Sequence, residues 1–88
     1  MRKDRKILLP VVHLNGTSSD DLSEQVRGAR VALREAIEAL QKAAPNARDY
    51  YPHGTSAIYD AQREHQERLS KLEDVMSDLD QMMIHLIQ

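Results

Sequence analysis

DDLSEQVRGARVALREAIEALQKAA, residues 20–44, holds the clearest periodicity in the chain. Leu22, Val26, Ala29, Leu33, Ala36, Leu40 and Ala43 recur in alternating steps of four and three, the seam of an amphipathic helix paired with another helix. Every second layer of that seam is alanine, which admits a partner at close range. Gly28 costs the helix ~1 kcal/mol relative to alanine, so its place inside the segment points to close packing there. Val31, Ala32, Ile37 and Ala39 fall off the seam and widen the apolar arc beyond the needs of one partner, which implies a second contact surface. Pro45 ends the helix.

Outward from this segment, a second and longer helix is expected over 55–87. Ile58, Ala61, His65, Leu69, Leu72, Met76, Leu79, Met83 and Leu86 again step by three and four, with two successive fours around His65 that shift the seam. Met82, Met83, Ile84, Leu86 and Ile87 make its end apolar all round, so something must cover it. The natural cover is the apolar lead-in, Ile7 to Leu14, from the same chain or a neighbour, which would bring His13 near His85. At 1.5 Å per residue the helices span roughly 37 and 50 Å, so the second overhangs the first. The expected fold is all-α: an antiparallel, coiled-coil-like two-helix hairpin in one domain. Residues 7–19 form the extended lead-in and turn, 20–44 and 55–87 the helices, and 45–54 the loop between them.

Eighty-eight residues sit near the size where a single core is marginal. With no Cys, Trp or Phe, the core must come from Leu, Ala, Val, Ile and Met, and no disulfide or thiolate metal site can staple it. Association with further copies, as a dimer or higher oligomer, is the remaining route to stability. The net charge of −2 argues against nucleic-acid binding, since phosphate neutralisation needs clustered cations. The basic start (Arg2, Lys3, Arg5, Lys6) is short, and reads as a solvated end. The apolar run after it is too short for a signal or membrane segment, and a reducing cytoplasm is expected. In that setting the glycosylation sequon Asn15-Gly16-Thr17 carries little meaning.

Two turns echo one another: His13-Leu14-Asn15-Gly16-Thr17-Ser18 before the first helix and His53-Gly54-Thr55-Ser56 before the second. Each Thr-Ser pair can cap a helix by accepting from first-turn amides. At the first helix, Asp20 and Asp21 already counter the positive end of the dipole; at the second, no acid appears until Asp60. That start is therefore a candidate anion site. Arg48 can hold phosphate or carboxylate bidentately, with Asp49 to orient it or to accept from a ribose. Tyr50 and Tyr51 are surfaces for stacking a base, and His53 and Tyr59 can add hydrogen bonds. All three aromatic residues lie between positions 50 and 59, where a core would not gather them. The alternative is that the tyrosines plug the open end of the hairpin beside an Arg48–Asp49 ion pair.

In one hairpin the two turns sit at opposite ends. In an assembly, the lead-in turn of one copy can meet the loop of another. The expected ligand site is therefore Asn15, Gly16, Thr17, Arg48, Asp49, Tyr50, Tyr51, His53, Gly54, Thr55, Ser56 and Tyr59, built across an interface. No His or acid set has zinc, EF-hand or facial-triad spacing, and no glycine-rich phosphate loop or Ser/His/Asp triad is recognisable. No catalytic residue, metal or cofactor is expected. His65 reads as a partly buried seam residue. Arg27, Arg30 and Arg34 line one side of the first helix, within reach of Glu73, Asp74 and Asp78.

The stretch His13–Ser18, together with Pro45-Asn46-Ala47-Arg48-Asp49-Tyr50-Tyr51-Pro52, resembles short proteins encoded by tailed bacteriophages. The likeness covers most of the chain. In size and architecture the chain is also similar to phage immune-evasion sponges. These are small oligomeric helical-hairpin proteins that sequester cyclic-oligonucleotide or ADP-ribose-type signals of anti-phage systems such as CBASS and Thoeris. The resemblance implies a non-enzymatic nucleotide binder in the host cytoplasm. A structural or adaptor protein that docks an apolar helix face onto another protein is the alternative, and a small DNA-associated regulator a third.

Overall fold

A helix needs an apolar stripe, a start and a stop, and both long segments have the stripe. The computed structural model describes residues 5–88. Helix α1 spans Ser19–Lys42 and helix α2 spans Ala57–Ile87; two single 3₁₀ turns, Ala47–Asp49 and Tyr51–His53, lie between them. Among the described residues the fold is all-helical, with no strand. The basic run at the start falls partly outside the described residues.

Ser18 starts α1: its backbone is extended and its hydroxyl accepts from the Asp21 amide at 3.1 Å. Asp20 and Asp21 add negative charge in the first turn, and Lys42 adds positive charge in the last. The helix stops at Lys42, two residues short of Ala44, because a residue preceding proline is pushed out of the helical region and the chain has to turn before Pro45. α2 runs without a break past His65.

The side chains of α1 facing its neighbour are Leu22, Val26, Arg30, Leu33, Ile37 and Leu40, all half-buried. Ala29, Ala36 and Ala43, expected in the seam, are exposed. Two physical reasons combine. A straight helix turns at 3.6 residues, so a strict four-three seam drifts around it. Leucine and isoleucine also gain more from burial than alanine, so Ile37 displaces Ala36 from the inner line. On α2 the reading is closer: Ala61, His65, Leu69 and Leu86 are buried, and Ile58, Leu72, Met76, Leu79 and Met83 are half-buried.

Contacts fix how the helices lie. The Ser19 hydroxyl donates to the Leu86 carbonyl at 3.3 Å, and Arg30 bonds Asp80 at 2.8 Å. The start of α1 therefore meets the end of α2, and the middle of α1 meets Asp80. Asp80, rather than the three acids expected, is the α2 carboxylate on Arg30.

The lead-in follows α2 as an extended strap. Arg5 grips the Asp78 carboxylate with two of its nitrogens. The Gln81 amide donates to the Arg5 carbonyl at 2.9 Å, and His85 Nε2 meets the Pro10 carbonyl at 2.8 Å. Pairing with that carboxylate holds the Arg5 guanidinium above its already basic pKa. The strap lies along the end of α2 as expected but leaves Ile84 and Ile87 exposed; His85 has Pro10 as its partner, while His13 folds back over Gly16. A Cβ at Gly16 would lie 2.8 Å from the His13 ring.

The resulting body measures 60 × 22 × 18 Å. Its radius of gyration is 18.0 Å, where a compact domain of this length has about 12 Å. Its accessible area is 6968 Å², against roughly 5300 Å² for a compact monomer of this mass. No described side chain falls below 2% exposure. No helix is long and apolar enough to cross a membrane, among the described residues.

The drifted register makes a direct prediction. Ile37→Ala lowers unfolding free energy by about 1–3 kcal/mol, whereas Ala36→Ser changes it by less than about 0.5 kcal/mol. Urea titrations of the two variants check this, and the opposite ranking would restore the strict four-three seam. Arg5→Ala releases the strap: limited proteolysis then cuts between residues 7 and 14 faster than in the parent, while helical circular dichroism stays unchanged.

Candidate functional site: the loop before the second helix

The loop organises itself through local hydrogen bonds. The Asn46 side chain accepts from the Arg48 amide at 3.1 Å, an Asx turn that begins the first 3₁₀ turn. The amide of Asp49 returns to the Asn46 carbonyl, and that of Tyr50 to Ala47, both at 3.0 Å. Pro52 sits in the second turn, where its fixed φ is compatible and its missing amide is not needed. Gly54 leaves that turn at φ 119°, a conformation that L side chains rarely adopt, so glycine is required there.

The site residues divide in two. Arg48, Asp49, Tyr50, Tyr51, His53, Gly54, Thr55, Ser56 and Tyr59 are brought together around this loop and the first turn of α2. Tyr50 is half-buried, whereas Tyr51 is 71% and Tyr59 69% exposed. Neither Arg48 nor Asp49 belongs to an ion pair among the described residues, so the local Arg48–Asp49 pair does not form. Asn15, Gly16 and Thr17 lie at the other end of the molecule. The Gly16 amide closes a turn onto the His13 carbonyl at 3.1 Å, and the Ser19 that follows meets Leu86. A 31-residue α2 separates the two turns by roughly 45 Å. No ligand of nucleotide size reaches both within one chain.

The α2 start departs from the expected cap. Ser56 is itself helical (φ −95°, ψ −5°), and its hydroxyl makes no capping bond. Instead the Ala57 amide donates to the Gly54 carbonyl at 3.3 Å and the Tyr59 amide to the Ser56 carbonyl at 3.1 Å. Backbone thus satisfies part of what a bound anion would otherwise satisfy. Asp60, the first acid, is paired with Arg63 at 3.0 Å. The helix end has no side-chain cap and no unpaired carboxylate in its first turn, and its remaining polar groups face solvent.

Three depressions among the described residues lie away from this loop, one of them, of about 530 Å³, along α2 and lined by Arg63, Gln66, Glu67, Ser70 and Lys71. A groove of about 350 Å³ between the helices is lined by Arg34, Ile37, Glu38, Gln41, Glu73, Met76, Ser77 and Asp80. Three carboxylates against one guanidinium give it the wrong charge for phosphate. Its sequence signal is the Arg34–Glu38 flank beside Ile37, which the four-three reading placed off the seam. The third, of about 240 Å³, is lined by Leu9, Gln81, Ile84, His85 and Gln88, with no Asp, Glu, Lys or Arg among them. No group of three or more His, Asp or Glu side chains converges as a metal site among the described residues. His65 is buried, as expected of a seam residue, and its Nε2 has no partner.

No protein-family model, curated protein or solved structure matches the chain.

The uncapped start is directly testable. Ser56→Asp supplies the missing negative charge and stabilises the fold by about 0.3–1 kcal/mol. Thermal melts of the variant check this; a lower melting temperature would mean that the α2 start is already compensated.

Proposed function

We propose that the chain is a non-enzymatic binding protein: an antiparallel helical hairpin that associates with copies of itself and sequesters a small phosphorylated ligand, of the nucleotide-signal class, at a site shared between subunits. One observation carries this reading. The chain's three aromatic side chains and the Arg48 guanidinium are gathered beside an uncapped helix start, with Arg48, Tyr51 and Tyr59 presented to solvent and not consumed in packing. In the proposed assembly Arg48 holds phosphate, Tyr51 stacks a base, and the Thr55–Ser56 segment faces the anion. The turn of Asn15, Gly16 and Thr17 from a second copy closes the site, since its own chain holds it at the far end. Holding the ligand without turnover needs no catalytic group, only exclusion of water by the second subunit.

Thermal shift against cyclic dinucleotides, cyclic trinucleotides and ADP-ribose derivatives tests the proposal. A true ligand at about 100 times its Kd raises the melting temperature by roughly 10 °C. Arg48→Ala and Tyr51→Ala each abolish that shift while leaving the ligand-free melt unchanged. No stabilisation by any member of the panel at high micromolar concentration sinks the proposal.

A second reading is favoured by the exposed Ile84 and Ile87 near the end of α2. In this reading the chain is an adaptor that docks a helix face onto another protein. Arg48→Ala and Tyr51→Ala are then silent, and affinity purification recovers one stoichiometric protein partner.

A further inference from the structure

The charges of this protein are distributed unevenly. Asp, Glu, Lys and Arg make up 30% of the chain, yet none occurs in the thirteen residues Ile7–Ser19 or the eight residues Gln81–Gln88. The fold brings these two segments to the same end of the molecule. The strap runs along the last turns of α2 through Gln81 and His85, and Ser19 meets Leu86. Sequence separation of more than sixty residues is thereby converted into one end built from segments that hold no Asp, Glu, Lys or Arg.

That end is also where apolar side chains are left in water. Six of the ten large hydrophobics on the surface lie there: Leu8 (95% exposed), Val11 (75%), Val12, Leu14 (99%), Ile84 and Ile87 (68%). Ile7 and Leu9 turn toward α2 and are half-buried, so the alternation of the strap points Leu8 outward. These six side chains expose roughly 700 Å² in all, more than the few hundred Å² of a monomer's usual apolar patch and close to the ~800 Å² per partner of a standard interface. Absence of Asp, Glu, Lys and Arg from the same segments is the compositional mark of an interface core.

We infer that this end is the surface through which the chain binds a second copy of itself, lead-in against lead-in around a two-fold axis. Its border argues for a self-complementary partner. Lys6 is exposed at one margin and Asp20 and Asp21 at another, so a two-fold copy can set basic margin against acidic margin on both sides at once. The isolated chain's accessible area, 6968 Å² against roughly 5300 Å² for a compact monomer, leaves an excess about twice what this contact buries on each copy. The inference concerns the self-association part of the proposed function alone: in this pair each Arg48 loop lies roughly 45 Å from the contact, so the copy that closes the ligand site is a further one, docked at the loop end.

The test uses ligand-free protein. At about 100 µM, far above a micromolar Kd, the parent sediments as a dimer or larger. The variant Leu8→Ser/Leu14→Ser/Ile87→Ser, altered only at exposed positions, sediments as a monomer with the same helical circular dichroism. Because the chain lacks cysteine, Leu8→Cys offers a second readout that needs no loss of stability. Under mild oxidation it gives disulfide-linked dimer at least tenfold faster than Gln62→Cys on the exposed face of α2. A monomeric parent overturns the inference, as does equal cross-linking at the two positions. A parent that associates through this end yet shows no thermal shift with any nucleotide overturns the ligand reading alone.

Discussion

Two helices in contact can shield only the line between them. Each presents an apolar arc wider than one partner covers, and a chain with two helices and one strap has nothing else to offer. The structure records this constraint everywhere. Among the described residues no side chain is fully enclosed, the buried positions all belong to α2, and the body is 60 Å long. In the proposed assembly, hydrophobic burial of this kind is completed from outside the chain. The apolar end and the exposed alanines of α1 are the surfaces left over once the inner line is filled.

The polar contacts do different work from the apolar ones: they fix position. Arg30–Asp80 and Ser19–Leu86 set the two helices against one another, and Arg5–Asp78 sets the strap. Asp78 is nearly buried while Arg5 is largely exposed. The carboxylate is therefore the group that would suffer from losing its partner. The exposed pairs within helices, Arg27–Glu24 and Arg63–Asp60, contribute little by comparison and serve mainly to keep those faces wet.

How much of this could be read from the sequence depends on which signal was involved. The helices were legible because the three-four spacing of Leu, Ile and Met is local and strong, and every seam position expected on α2 is at least half-buried. The α1 register was legible only to within one residue. Alanine fits both a seam and a surface, so Ala36 and Ile37 compete, and only the volume between two real helices decides. Grouping of the loop residues was legible from their closeness in sequence. The missing cap at Ser56 was not, because capping depends on a backbone angle that Gly54 sets. Arg5–Asp78 joins positions 73 apart in sequence and left no periodic trace.

The strap shows how one polar contact can decide what an apolar surface presents. Successive residues of an extended segment point to opposite sides, so a shift of one residue would turn Leu8 inward and expose Ile7 and Leu9. Apolar burial favours the observed register by one aliphatic side chain, two covered against one. Hydrogen bonds distinguish the two registers further: Gln81 accepts only the alignment that offers the Arg5 carbonyl, and His85 only the one that offers that of Pro10. With both ends of the strap pinned, Ile7 and Leu9 turn toward α2, and Leu8 is held outward at 95% exposure. An exposed leucine held in place by hydrogen bonds loses less conformational freedom on being covered than one on a loose tail. The polar contacts on α2 thus prepare the apolar end for the proposed second copy, although none of them lies at its centre.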